Sequence, residues 1–217
     1  MTAVRIGVID YGVGNLKSVA NALAEVGATA CVSSERSELA QCDRLILPGV
    51  GAFPRGMQAL AAAGLTEFLL AEVDRGRPLL GICLGMQMLC EYSSEFGKTP
   101  GLGIIPGGVT ELRRKDTGIP NETFRLPNVG WLPIERRPVA GSDSTLLDGV
   151  PLDSRFYFIH SYAADEHNVA ASAVSEYCGV RFAAMVSHGS VHGTQFHPEK
   201  SGPEGLKILK NFATKEH

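Results

Sequence analysis

Cys83 stands in the run GICLGMQ, with Gly81 two residues before it and Gly85 two residues after it. The apolar run Pro78 to Leu80 precedes it, and Met86, Met88 and Leu89 follow in a pattern that suits the buried face of a helix. This predicts a strand, a sharp turn that carries the cysteine, and a helix whose start faces the sulfur. Glycines on both sides permit the close approach and unusual φ values of such an elbow. A helix start favours negative charge and so suits a thiolate nucleophile. Cys83 alone does not separate a nucleophile from a small side chain that fits a glycine turn; a base does. His197, in GTQFHPEK, follows an apolar strand end, and Pro198 biases it toward extended backbone. Glu199, two residues on, can point to the same side and hold the imidazole in one tautomer. Thiol, imidazole and carboxylate together are the nucleophile, base and orienting group of covalent catalysis. His160, His167, His188, His192 and His217 lack an acidic residue at this spacing on a strand end. Cys31, Cys42, Cys90 and Cys178 read as packing residues. For an oxyanion, the amide of Leu84 is one expected donor, and the turn Pro48-Gly49-Val50-Gly51 is a second source.

These groups need a scaffold, and the first hundred residues alternate strand and helix. Ile6 to Ile9 reads as a buried strand bounded by Asp10, Gly12 and Gly14. Asn15 is placed to cap a helix with Leu16, Val19, Leu23 and Val26 on one face, ended by Gly27. The glycine turn resembles half of a dinucleotide fingerprint. Lys17 stands where the third glycine belongs, so a tight strand-to-helix turn is the better reading. Ala28 to Val32 and Arg44 to Leu47 are further strands, the latter running into the PGVG turn. Helical segments over 54–62 and 65–74 precede the strand that feeds Cys83. Four such alternations indicate a doubly wound α/β sheet, with ligands at the carboxyl ends of its strands.

The second half is richer in glycine and proline. Strands are expected at Gly108 to Leu112, Asn128 to Pro133, Arg155 to Tyr162, Val169 to Val174, Val180 to Ser187 and Val191 to Phe196. Arg113 to Asn121 reads as an exposed loop. A last helix carries Leu206, Leu209 and Phe212 on one face, opened by Ser201 and Glu204 in capping-box spacing. No internal repeat appears, so residues 1–217 are expected to form one domain.

Of the 217 residues, 44% are hydrophobic and 20% charged, as for a chain that buries a full core. A net charge of −3, with no basic stripe, gives no electrostatic case for nucleic acid. Five cysteines without paired spacing argue against a disulfide framework and for a reducing, cytoplasmic setting, and no CxxC or Cys/His array suggests zinc. The N-terminus shows neither a signal-peptide pattern nor a membrane span. No cofactor is expected.

GICLGMQ around Cys83, taken with FHPE at 196–199, resembles the class I (triad) glutamine amidotransferases along nearly the whole chain. More narrowly, DYGVGN at 10–15, LPGVGAF at 47–53, PNVGW at 127–131, FYFIHSY at 156–162 and GTQFHPEKSG at 193–202 resemble the glutaminase subunits of imidazole glycerol phosphate synthases. The resemblance implies a three-layer, flavodoxin-like α/β fold with a mostly parallel central sheet. It implies that Cys83 attacks the carboxamide of glutamine, with His197 as base and Glu199 steadying it, and that amides near Leu84 and Val50 or Gly51 hold the oxyanion. Gly51, Gln87, Glu95, Ser161 and Tyr162 match positions that hold the substrate; read as a residue alone, Glu95 is equally a solvated loop acid. The partner implied is a cyclase subunit with a (β/α)8 barrel, forming a heterodimer and receiving ammonia. Asn15, Trp131, Tyr157 and Lys200 match positions near that docking face, though Trp131, the only tryptophan, reads equally well as core packing. The two glycines around Val50 suggest a turn whose amide faces away from the oxyanion site until the cyclase and its ligand bind. Rival readings are the glutaminases of pyridoxal phosphate, anthranilate or guanylate synthesis, a thiol peptidase or γ-glutamyl hydrolase, and a noncatalytic binding subunit.

Overall fold

The structure is a computed structural model and describes residues 4–113, 124–138, 145–168 and 170–214. Its centre is an eight-stranded sheet. The parallel part contains β1 (Arg5–Ile9), β2 (Thr29–Ser33), β3 (Arg44–Gly49) and β4 (Leu79–Cys83), joined by the late strand β14 (Val191–Thr194). The order runs β2-β1-β3-β4-β14 and continues antiparallel through β13 (Val180–His188), β12 (Ala171–Tyr177) and the short β9 (Glu135–Arg136). Strands with no polar alternation fit a sheet covered on both faces: every residue of β4 is buried.

Successive residues of these strands serve two cores. Ile46, Leu80 and Ile82 pack on one side with Val19 and Leu23 of α1 (Leu16–Glu25) and Ile208, Leu209 and Phe212 of α6 (Gly202–Thr214). Leu45, Leu47 and Leu79 pack on the other with Phe53 and Leu60 of α3 (Phe53–Ala62) and Leu69 of α4 (Thr66–Asp74). Period-two side chains between helical layers produce the three-layer arrangement. Among the described residues, no helix is long and apolar enough to cross a membrane.

Two smaller sheets lie beyond the main one. β8 (Asn128–Pro133) pairs with β10 (Arg155–His160). β5 (Cys90–Ser93), β6 (Thr99–Pro100), β7 (Ile105–Glu111) and β11 (Tyr162–Ala164) form the other. The expected single strand from Arg155 to Tyr162 is thus broken at Ser161, because its two halves pair with different sheets. The helix after Cys83, α5 (Leu84–Leu89), has only 6 residues before the chain turns into β5. A short helix α2 (Arg36–Leu39) and strands β5, β6 and β9 carry too little periodicity to be read from sequence.

Two expected caps are not formed. Asn15 occupies the N-cap position before α1 but makes no side-chain cap bond. The Ser201 hydroxyl donates to the His197 carbonyl at 2.6 Å and accepts from the Tyr157 amide at 3.0 Å, so it ties down the histidine instead of closing a capping box. Most of the loop expected over Arg113 to Asn121, and Val169 at the start of an expected strand, lie outside the described residues.

Candidate active site

Cys83 ends β4 and precedes α5 with φ 54° and ψ −109°. That backbone region costs an L-residue on the order of 1–3 kcal/mol and persists only where its surroundings enforce it. The surroundings here are close-packed. A Cβ on Gly81 would stand 2.7 Å from the Met86 amide nitrogen, and one on Gly85 would overlap the Leu47 carbonyl. Both glycines let the turn between β4 and α5 sit directly on its neighbours, which fixes where the sulfur points.

β14 lies parallel to β4 with Thr194 beside Ile82, so the chain leaving β14 passes the elbow. His197 is held there by its backbone, its N–H donating to the Tyr157 carbonyl at 2.9 Å. Its Nδ1 donates to Glu199 Oε1 at 2.8 Å, with side chains only 2% and 1% exposed. This leaves Nε2 for the sulfur. Burial opposes a charge on His197, but the Cys83 sulfur and the Glu199 carboxylate outweigh it and bring the imidazole up to about 10. The protonated form of His197 is thus favoured, its ring lying between the sulfur and a carboxylate. His160 behaves oppositely. Burial, reinforced by His197, brings it down to about 4 against the help of a hydrogen bond to the Tyr162 carbonyl. A neutral His160 fits its contacts, with Nδ1 donating to Tyr162 O at 2.9 Å and Nε2 accepting from Asn128 at 3.2 Å.

A cavity of about 290 Å³ opens over the sulfur. Val50, Gly51, Cys83, Leu84, Gln87, Glu95, Ser161, Tyr162, His197 and Lys200 all border it, and Glu199 stands behind His197. Gln87, one turn along α5, is anchored by its amide to Tyr162 O at 2.8 Å and Gln195 Oε1 at 3.0 Å. Glu95 has a specific partner: its Oε2 accepts from the Phe53 amide at 2.7 Å and so secures the start of α3 at the end of the PGVG turn. Ser161 sits at the break between β10 and β11, its carbonyl taking the Leu112 amide. At the other end of the turn the Tyr11 hydroxyl donates to the Pro48 carbonyl at 2.8 Å. Between these two anchors Gly51 has φ +94°, and Val50 is 41% exposed.

Outside the cavity, Trp131 and Tyr157 stand opposite each other across β8 and β10, rings at 6.0 Å, with the Lys200 ammonium 5.8 Å from the tyrosine ring. Trp131 is 47% exposed, so the core-packing reading of the only tryptophan fails. Phe156 and Phe158, the alternate residues of β10, fill the core instead. Val129 and Ile159 extend the exposed apolar face. Asn15 opens α1, which packs against the turn Pro198–Lys200 that carries the rim lysine.

Four residues of the site escape the sequence reading: Tyr11, Asn128, His160 and Gln195. Gln195 alone carries a local signal, an amide side chain directly after a strand and two residues before His197. Tyr11, Asn128 and His160 act through partners far away in the chain. Among the described residues no cluster of three His, Cys, Asp or Glu could hold a metal ion.

Known proteins agree with this architecture. Residues 7–215 match the family described as glutamine amidotransferase class-I. The chain is 42% identical over 208 residues to the imidazole glycerol phosphate synthase subunit HisH of Bacillus cereus (strain AH187), covering 95% of this chain and 93% of that one. The HisH of Bacillus thuringiensis (strain Al Hakam) is equally similar, with the same coverage. Among solved structures, a putative GMP synthase subunit from Thermoplasma acidophilum superposes with TM-score 0.68 at 20% identity, covering 98% of this chain and 94% of that one. PurLQS from Thermotoga maritima superposes with TM-score 0.68 at 18% identity, covering 97% and 98%. An elbow cysteine facing a carboxylate-held histidine, on this sheet and with these relatives, leads to one assignment: the chain belongs to the class I glutamine amidotransferases.

Proposed function

We propose that residues 1–217 form one glutaminase domain, the ammonia-producing subunit of an imidazole glycerol phosphate synthase acting in histidine biosynthesis in the cytoplasm. The observation that carries this reading is the Cys83 elbow at the mouth of the same cavity as the His197–Glu199 pair. Glutamine enters with its carboxamide over the sulfur. Gln87, Glu95, Ser161, Tyr162 and Gly51 hold the rest of it. Cys83 attacks the carboxamide carbon, and the oxyanion is met by amides at Leu84 and at Val50 or Gly51. His197, already carrying a proton, gives it to the departing nitrogen, and the C–N bond breaks to leave ammonia and a γ-glutamyl thioester. The neutral imidazole then takes a proton from water, which attacks the thioester and releases glutamate. Glu199 keeps the imidazole in register throughout. No cofactor takes part.

The ammonia passes to a cyclase subunit with a (β/α)8 barrel, the two chains forming a heterodimer, and the cyclase makes imidazole glycerol phosphate and the purine precursor AICAR. The exposed aromatic and aliphatic face of β8 and β10, with Lys200 at its edge, supports a docking surface beside the cavity. Asn15, Trp131, Tyr157 and Lys200 belong to that surface. The open Val50–Gly51 turn supports gating, with the Val50 amide brought to the oxyanion only when cyclase and its ligand are bound.

The test is glutamate and ammonia release from glutamine by the purified chain, alone and with a cyclase partner and its nucleotide substrate. Cys83-dependent release that rises with the loaded cyclase is expected. No release under either condition rejects the glutaminase; equal rates under both reject the gate.

A further inference from the structure

Gln195 is fully buried, directly follows β14 and precedes His197 by two residues. Its Nε2 donates to the Cys83 sulfur at 3.7 Å, and its Oε1 accepts from Gln87 Nε2 at 3.0 Å. Gln87 Nε2 donates in addition to the Tyr162 carbonyl at 2.8 Å, so both its N–H groups are used inside the protein. Its remaining polar atom, Oε1, is the one left for the cavity that Gln87 borders.

This chain of amides has one workable direction. Turned over, Gln195 would set its NH2 against that of Gln87 and its oxygen against the sulfur lone pairs. The Tyr162 carbonyl therefore orients Gln87, Gln87 orients Gln195, and Gln195 presents an N–H to the sulfur. Beside His197, the sulfur has a further partner for each protonation state. As a thiol it can donate to the Ile159 carbonyl at 3.9 Å; as a thiolate it can accept from Gln195 Nε2.

We propose that Gln195 is a further catalytic residue, whose amide N–H holds the charge of the Cys83 thiolate. The inference rests on the glutaminase reading above and deepens it. The charge appears twice in each cycle: before attack, and again when the thioester is hydrolysed. In that second step the C–S bond breaks and its electron pair returns to sulfur, where a buried N–H donor is already in place. A donor to a charged acceptor in a dry site does more than one exposed to water. Through Gln87, the same residue also fixes which atom of the substrate pocket is an acceptor.

The experiment is alkylation of Cys83 by iodoacetamide in the absence of glutamine, followed across pH 5 to 9 for wild type, Gln195→Met and Gln195→Glu. Methionine matches the length of glutamine without an N–H donor, and about tenfold slower alkylation at pH 7 is expected, with the acid limb of the rate profile moved to higher pH. Glutamate keeps the acceptor for Gln87 but sets a carboxylate beside the sulfur, and about hundredfold slower alkylation is expected. A merely structural role would alter stability or KM and leave the alkylation profile in place. Rates within twofold of wild type for folded Gln195→Met overturn the proposal; if that variant does not fold, the same result for Gln195→Glu overturns it. Because iodoacetamide needs no glutamine pocket, a wild type that fails to hydrolyse glutamine would reject the glutaminase reading while this measurement still decides the role of Gln195.

Discussion

Two backbone turns border the cavity, and they are built in opposite ways. The elbow at Cys83 is buried, held at a positive φ and pressed against its neighbours on both sides by Gly81 and Gly85. The turn at Val50 and Gly51 is open: a Cβ on Gly51 would have nothing within 4 Å, and among the described residues the side-chain ties are at its ends, from Tyr11 to Pro48 and from Glu95 to Phe53. Both stand at the carboxyl ends of adjacent parallel strands, β4 and β3, so the difference does not come from the scaffold. It lies in the packing above each strand end. A nucleophile gains from being fixed, because small misplacements of reacting atoms are costly. An oxyanion donor that moves allows the reaction to be switched without disturbing the nucleophile.

The largest effect should come from the elbow. Cys83→Ala is expected to lower glutamine turnover by about 10⁴-fold or more, since nothing else supplies the nucleophile. Cys83→Gly should be as inactive yet more stable than Cys83→Ala by about 1 kcal/mol, because glycine adopts a positive φ at little cost. Urea midpoints of the two variants measure the difference. Equal midpoints would mean the elbow stores no strain and would remove one half of the contrast.

Glu199→Gln should cost about 10²- to 10⁴-fold in kcat, as loss of an orienting carboxylate does. It also has a pH signature. His197 is raised to about 10, with Glu199 among the causes, so activity that needs its proton should decline on the alkaline side near that value. Removing the carboxylate should move this decline to lower pH. An unmoved alkaline limb would show that the carboxylate does not set the charge of the histidine.

At the open turn, Gly51→Ala and Glu95→Gln should each lower kcat about tenfold, the first by straining φ +94° and the second by loosening the hold on Phe53. Alkylation of Cys83 by a small electrophile should stay within about twofold of wild type in both, because on the proposed reading a donor and not the sulfur has been disturbed. Slower alkylation would show that the two turns are coupled and that the nucleophile is not independent of the gate.

How much of this was legible in the sequence follows the range of the signals. The elbow, the histidine–glutamate pair and the parallel half of the sheet rest on neighbours within a few residues and on apolar runs with clear periods. The strand break at Ser161 rests on pairing with β8 and β7, tens of residues away, and nothing local in FYFIHSY announces it. Asn15 and Ser201 sit where caps are found, but Ser201 has a stronger use, bridging Tyr157 and His197 across the chain. Glu95 shows the same limit. As a loop acid it carries no signal, and its function as an acceptor for the Phe53 amide exists only because β5 ends beside α3.

The smallest expected effect on turnover belongs to His160, which supports the fixed side of the site through Tyr162 and Gln87. Folding brings its pKa down from 6.5 to about 4. Between those values the unfolded chain binds a proton that the folded chain excludes, so stability falls as pH is lowered from 6.5 toward 4. His197 acts in the opposite window: with a folded value near 10, its stabilisation is complete below 6.5 and is lost as pH rises through 10. The two histidines therefore act on opposite limbs of the stability curve and can be separated. His160→Gln keeps an N–H for Tyr162 O and an acceptor for Asn128 while removing the titration. Between pH 6.5 and 4 its urea midpoint should fall less than that of wild type, by an amount worth on the order of 2–3 kcal/mol across the window. Above pH 7 the two proteins should run in parallel, since His160 is neutral in both states there. Parallel curves below pH 6.5 as well would show that acid reaches His160 in the folded protein, and that the side of the cavity holding Gln87 is no more closed than the turn opposite it.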